Sequence, residues 1–312
     1  MKTSAPVAII AMAFTVVLAL SACDDQSNST ATSNQSSADT ASKLANSAKL
    51  NDYVLAYNDL IGDSGLLAQY QAYENANISK STTSDNITDV SKGSLEQSAD
   101  KLKTVRGAKS DAPTELDTAA DKLISALGQV VPRLSGLDVY YASKAYMEDG
   151  LARGKREDPL MLTDFQAAAV ALEEFHQQLQ KELDRREQAE LAKIKERGDM
   201  PVYQTRLALS QARQLVDLLN SSEEPGKPAL QSQIDAKITD LEKTLEDQRT
   251  AMAKAKQEGG SGVNTPLLDG INDSLTGMVG DFREIKQDPT PDKYQLVVTR
   301  FNSAIEMFNS VR

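Results

Sequence analysis

From about residue 43 onward, apolar side chains return every third or fourth position, the period of helices that bury one face and wet the other. Leu50, Tyr53, Val54, Tyr57, Leu60 and Ile61 make the first such row, and Leu66, Leu67, Tyr70 and Tyr73 resume it beyond Gly62 and Gly65. The pattern predicts a helix, broken or continuous, from about Lys43 to Asn77. Ile78 to Lys92 is polar and aperiodic, a surface loop, and Leu95, Leu102 and Val105 outline a short helix after it. Six longer rows follow: Leu116, Leu123, Leu127, Val130 and Leu134; Phe165, Leu172, Phe175, Leu179 and Leu183; Tyr203, Leu207, Leu215, Val216 and Leu219; Leu230, Ile234, Leu241 and Leu245; Ile271, Leu275, Met278, Phe282 and Ile285; Tyr294, Val297, Phe301, Ile305, Phe308 and Val311.

Helix starts are marked by a capping oxygen followed by proline, whose missing N–H is harmless in a first turn. Asp111-Ala112-Pro113, Asp158-Pro159, Asp199-Met200-Pro201, Thr265-Pro266 and Thr290-Pro291 all carry this signal. Pro132 falls inside the helix that begins near Pro113 and is expected to kink or split it. Ser221 to Lys227 and Gln257 to Asn264, with its Gly259-Gly260-Ser261-Gly262 run, read as loops. Lys181 to Arg197 mixes both charge signs with few large apolar residues and reads as a solvated helix end, in which Glu182 and Arg186 have i,i+4 spacing. Amphipathic helices of this kind need one another, so the expected fold is all-α: an elongated up-and-down helical bundle over 43–312, with two sub-bundles sharing a long helix as the alternative. Apolar runs of strand length sit inside helix-period rows, which disfavours β structure.

The start of the chain follows a different grammar. Lys2 precedes an apolar run of about 14 residues, Val7 to Leu20, and then Ser21, Ala22 and Cys23. A membrane-spanning helix takes roughly 20 apolar residues, so this run reads as a cleaved signal and Leu20-Ser21-Ala22-Cys23 as a bacterial lipobox. Residues 1–22 are then the signal peptide, and the Cys23 sulfur is the nucleophile that takes a diacylglycerol, after which the freed amine takes an N-acyl chain such as palmitate. Two or three acyl chains attach far more firmly than one. Residues 23–42 hold no large apolar side chain after the cysteine and form a tether, disordered for want of anything to bury. Acidic Asp24 and Asp25 follow the anchor, a pattern associated in enterobacterial-type envelopes with retention in the inner membrane, facing the periplasm.

Composition narrows the partners. Acidic residues outnumber basic ones by 45 to 34, for a net charge of −11, so the field repels nucleic acid and attachment to a bilayer falls to the anchor. His176 is the single histidine and Cys23 the single cysteine, which rules out a Cys/His zinc site. Glu173-Glu174-Phe175-His176 contains Glu-x-x-His, but di-iron bundles require that motif on two helices. No Gly-x-Ser-x-Gly elbow and no phosphate-binding glycine loop occurs. The sequence thus offers no catalytic residue, no metal ligand set and no cofactor beyond the lipid on Cys23.

The densest polar and aromatic stretch is Asp138 to Gly150 followed by Arg153-Gly154-Lys155. Its candidate cluster is Tyr140, Tyr141, Lys144, Tyr146, Asp149 and Lys155. One reading is interhelical packing with the hydroxyls bonded to charged neighbours and Gly150 and Gly154 ending a helix before Pro159. The other is a ligand cleft, since pockets combine aromatics with a few fixed polar groups. This stretch, together with Lys49-Leu50-Asn51-Asp52-Tyr53, Tyr57-Asn58 and the lipobox with its tether, resembles the YiiG-like bacterial lipoproteins, a family of unknown function. The resemblance runs from about Lys49 to Leu219 and implies an α-helical lipoprotein domain without an assigned activity. Members of that family often carry a histidine before the position of Pro159; Asp158 stands there in this chain, so no histidine-based site carries over. The functional expectation is an envelope interaction module docking another protein through its helix faces. The alternative is a small-molecule binding module using Tyr140 to Lys155, and a carboxylate-based hydrolase is a third reading.

Overall fold

The computed structural model describes residues 48–85, 87, 93–109, 112–220, 228–258 and 265–310, all helices and their links, with no strand among them. Cys23, Asp24, Asp25, the tether, and the loops at 221–227 and 259–264 lie outside the described residues. The chain is all-α. It clusters into two compact units, here 48–183 and 184–310, with the division between Leu183 and Asp184 falling inside one helix.

The first unit comprises α1 (48–61), α2 (Leu66–Ala76), α3 (Leu95–Gly107), α4 (Thr114–Ala142), α5 (Tyr146–Asp149) and the first two thirds of α6 (Ala152–Glu196). The predicted rows are the ones that go inside: Leu116, Leu123, Leu127, Val130 and Leu134 of α4 and Phe165, Leu172, Phe175 and Leu179 of α6 are all buried. Rings lock α6 to the N-terminal helices. Tyr53 meets Phe175 edge-on at 5.5 Å, and Tyr70 stacks on Phe165 at 5.3 Å, geometries that suit the ring quadrupoles. The 78–92 loop is less superficial than its polarity implies, because Ile78 and Ile87 are both sunk in this core.

Two prolines are carried inside helices for one physical reason. Pro132 does not split α4, and Pro159 does not begin α6, which starts seven residues earlier at Ala152. A mid-helix proline leaves the carbonyl four residues before it without a partner. Both prolines are exposed, and the carbonyls concerned belong to exposed Gly128 and Lys155, where water can solvate them. The other helix starts hold, although Asp111 lies outside the described residues and Thr290 makes no side-chain cap bond: α4 follows Pro113, α7 (Met200–Asn220) follows Asp199, α9 (Thr265–Gln287) starts at Thr265 and α10 (Pro291–Asn309) at Pro291.

The second unit packs the end of α6 with α7, α8 (Pro228–Gln257), α9 and α10. α7 touches α8, α9 and α10, and the short link 288–290 folds α10 back along α9. Ile271, Leu275, Met278, Phe282 and Ile285 of α9 are buried as their spacing required. On α7 the buried line is Thr205, Ala208, Ala212, Leu215 and Val216, so Tyr203 and Leu207 are only half-buried. Nor is 181–197 a wholly solvated helix end, since Glu182, Glu187, Leu191 and Ile194 are buried.

Candidate functional site

The Tyr140 to Lys155 stretch folds into an elbow between α4 and α6. Lys144, with φ 57°, and Leu151, with φ 66°, both take the left-handed conformation that L side chains disfavour, and Gly150, with φ 65°, supplies the third turn of this kind. The reversals gather three phenols, edge-on or tilted to one another. Tyr140 and Tyr141 lie 5.0 Å apart, with Tyr146 6.3 and 6.2 Å from them, and none is more than 5% exposed. Tyr140 donates to Asp149 Oδ1 at 2.8 Å, and Tyr146 donates to the Asp85 carbonyl at 3.3 Å. The second oxygen of Asp149 accepts the Arg153 N–H at 3.1 Å, so this carboxylate, and not Asp158, caps the start of α6. Desolvation acts to raise the Asp149 pKa, but the bonds from Tyr140 and from backbone N–H groups outweigh it and hold the carboxyl below its ordinary range. Burial, then the bond to Asp149, pushes the Tyr140 phenol up.

Of the six cluster residues, therefore, the fold joins Tyr140, Tyr141, Tyr146 and Asp149, while Lys144 and Lys155 remain on the surface. Gly154 does not end a helix. It lies buried in the first turn of α6, where an added Cβ would stand 2.7 Å from the Tyr141 hydroxyl, so only glycine admits the phenol. The three phenols of the elbow are buried against one another.

Concave space is found near the start of α4: a pocket of about 400 Å³ lined by Lys49, Arg106, Lys109, Thr114, Asp117 and Thr118 with two alanines. Asp117 is the hub of its wall. It accepts from Tyr53 at 2.6 Å and from the buried Lys49 ammonium at 3.1 Å, and Arg106 lies 3.4 Å away while also holding Asp121. Burial, then the bond to Asp117, drives the Tyr53 pKa far above the usual phenol range. Lys49, noticed in the sequence only as part of a motif, and Tyr53, read also as part of the first apolar row, thus tie α1 to α4. His176 stacks on Tyr57 at 4.7 Å and pairs with Gln180 at 3.0 Å, a half-buried flank residue. No group of three metal-ligating side chains is found among the described residues.

The second unit holds two polar assemblies that periodicity did not announce. One is a buried, neutral trio with an exposed arginine at its edge: Gln248 donates to Thr205 Oγ1 at 2.7 Å, Asn272 donates to Gln248 Oε1 at 2.8 Å and to the Leu245 carbonyl at 2.9 Å, and Arg249 bonds Asn272 Oδ1 at 2.8 Å from the surface. The other is charged: Arg213 pairs with Asp184, Arg206 lies 3.7 Å from Glu187, and Asp217 adjoins Arg213 and Lys237. Burial pushes Asp217 up to about 6 against the opposing pull of Arg213 and Lys237, and it raises Glu187 as well. The signal was present in the spacing, since Arg206, Arg213 and Asp217 share one face of α7 at i, i+7 and i+11.

Comparison with known proteins places this geometry in a family. The family described as "Protein of unknown function (DUF3829)" matches residues 45–296. The chain is similar to "Uncharacterized protein YiiG" of Escherichia coli (strain K12), with 25% identity over 229 residues, 71% of this chain and 61% of that relative's length. No solved structure matches. Because the family match takes in the α1 motif, the tyrosine elbow and most of the second unit, the chain belongs to the DUF3829 family and is a YiiG-like member of it.

Proposed function

We propose that the chain is a lipid-tethered envelope protein whose helical units dock another envelope protein. The observation that carries the docking reading is an unpartnered stripe on α6. Leu160, Thr163, Ala167 and Val170 fall on one face at i, i+3, i+7 and i+10, and Leu160 is 48% and Val170 65% exposed. Apolar residues clustered on an otherwise polar surface are the usual mark of a contact site. A photo-reactive residue at Val170 in the full chain, expressed in its own cells, should give one discrete adduct. That adduct should vanish with Leu160→Glu while the helical circular dichroism stays unchanged; no adduct, or one indifferent to Leu160→Glu, contradicts the docking reading.

The tethering half rests on the lipobox. Cys23→Ala should abolish acyl labelling and normal signal processing, and the doubly substituted Asp24→Ser, Asp25→Ser chain should move from the inner to the outer membrane on density separation. Unlabelled wild-type protein would end the anchor reading. A second reading, binding of a small acidic molecule, has support in the pocket beside Lys49, Arg106 and Lys109. There a thermal shift with carboxylate or phosphate compounds, lost in Lys109→Glu, is the expected result.

A further inference from the structure

The pocket at the start of α4 gathers more positive charge than its own wall neutralises. Lys49 of α1, Arg106 of α3 and Lys109 just beyond α3 line it against a single carboxylate, Asp117. Two of these cations converge on one atom, the Lys49 ammonium at 3.1 Å and an Arg106 nitrogen at 3.4 Å from Asp117 Oδ2. Arg106 also holds Asp121, but that carboxylate stands outside the wall with its side chain 55% exposed, where solvent screens it. Lys109 is exposed and makes no ion pair among the described residues. In a chain of net charge −11, a concave wall with surplus positive charge runs against the surrounding field. The wall is also pre-set. Lys49 and Tyr53 are buried and grip Asp117 from inside the core, and Asp117 in turn positions Arg106. Among the neutral groups, the Thr118 hydroxyl is spent on the Thr114 carbonyl at 2.7 Å, while the Thr114 side chain is exposed. No side chain caps α4, whose first turn lines the pocket, so the favourable end of its dipole adds to the cations.

Resting on the reading of this pocket as a site for a small acidic molecule, we propose that it binds a soluble phosphomonoester. Lys109, Arg106 and the Thr114 hydroxyl receive the phosphate, and the organic part lies along Ala108 and Ala112, the small apolar portion of the wall. Cations that converge in one concavity suit charge concentrated in one group. A phosphomonoester carries about two negative charges on three acceptor oxygens near neutral pH. A monocarboxylate carries one charge, and a dicarboxylate sets its two charges apart. The volume of about 400 Å³ falls toward the small end of ligand pockets, with room for an organic part beside the phosphate. The net charge of −11 repels an anionic bilayer surface, which favours a free phosphate over a lipid headgroup as the source.

Isothermal titration calorimetry of the full chain in detergent, at about pH 7.5, should show one site for glycerol phosphate. Binding should weaken about tenfold or more in Lys109→Glu, with unchanged circular dichroism, and persist in Lys109→Arg, which keeps the charge. Dimethyl phosphate, with one charge, and succinate, with two separated charges, should each bind about tenfold more weakly than glycerol phosphate. Succinate binding as well as glycerol phosphate, with the same loss in Lys109→Glu, would overturn the phosphate assignment and leave the acidic-molecule reading standing. No heat from any of the three compounds would remove both. A response to short-chain phosphatidate without one to glycerol phosphate, or glycerol phosphate binding indifferent to Lys109→Glu, would equally overturn the proposal.

Discussion

The two units solve one problem with different chemistry. Both are built from helices whose apolar rows alone leave rotation and register loosely specified. In 48–183 the register is fixed chiefly by rings, with Tyr53 and Phe175, Tyr70 and Phe165, and the edge-on cluster of Tyr140, Tyr141 and Tyr146 interlocking successive helices, beside a polar hub at Asp117. In 184–310 it is fixed by buried and half-buried polar groups: the Thr205, Gln248 and Asn272 chain, and the cluster of Asp184, Glu187, Arg206, Arg213 and Asp217. Rings gain from burial at any pH and fail only when a void is cut. Polar groups specify their partners more narrowly, but they make the unit sensitive to every lost partner and every proton.

The largest expected effect is a void in the ring-locked unit. Phe175→Ala should cost about 3–5 kcal/mol in urea unfolding, because a fully buried ring leaves a cavity that rigid neighbours cannot close. Asn272→Ala comes next, at about 1–3 kcal/mol, since it strands the buried Gln248 oxygen and removes a bond each from the Leu245 carbonyl and the Arg249 guanidinium. Replacing Gln248 and Asn272 jointly by leucine should cost less than the sum of the single changes, the sign of a coupled network. Asp217→Asn should then raise stability near pH 7.5 by about 1–2 kcal/mol, the pKa shift being discounted for the partial exposure of the side chain. The smallest effect belongs to the elbow surface. Lys144→Gly should stabilise by about 1 kcal/mol through relief of its left-handed backbone, while Lys155→Ala should stay within about 0.5 kcal/mol.

How much of this was legible before the structure depended on whether a feature was periodic. The rows of Leu116 to Leu134 and Ile271 to Ile285 are buried almost residue for residue, and four of the proline-marked starts hold, because both signals are local. Asp158-Pro159 carried the same local signal and failed. Whether a proline starts a helix or rides inside one depends on which side faces solvent, and on the Asp149 cap that forms only once Tyr140 is in place. The tyrosines of the elbow are legible as a cluster in the sequence, but Lys144 and Lys155 join it only by proximity in sequence and stay on the surface. Asp117, Asp217 and Glu187 were not singled out at all. A charged residue on a helix reads as solvated until the tertiary fold buries it against a partner from another helix.

The contrast between the units is tested most directly by hydrogen exchange of the full chain at pH 7.5 and pH 5, after correction for intrinsic rates. Asp217 has a folded-state pKa raised to about 6, so protonation favours the folded form; stability is gained as pH falls through that value and is complete only below the ordinary carboxylate range. Glu187 is shifted in the same direction. Asp149 is depressed instead, and its contribution, present above the ordinary carboxylate range, is lost only as pH falls below it. Acidification to pH 5 should therefore strengthen protection in α7 and α8 and leave the α4 to α6 elbow unchanged, and Asp217→Asn should remove most of the gain. Weakened protection in α7 and α8, or an equal change in both units, would contradict the account.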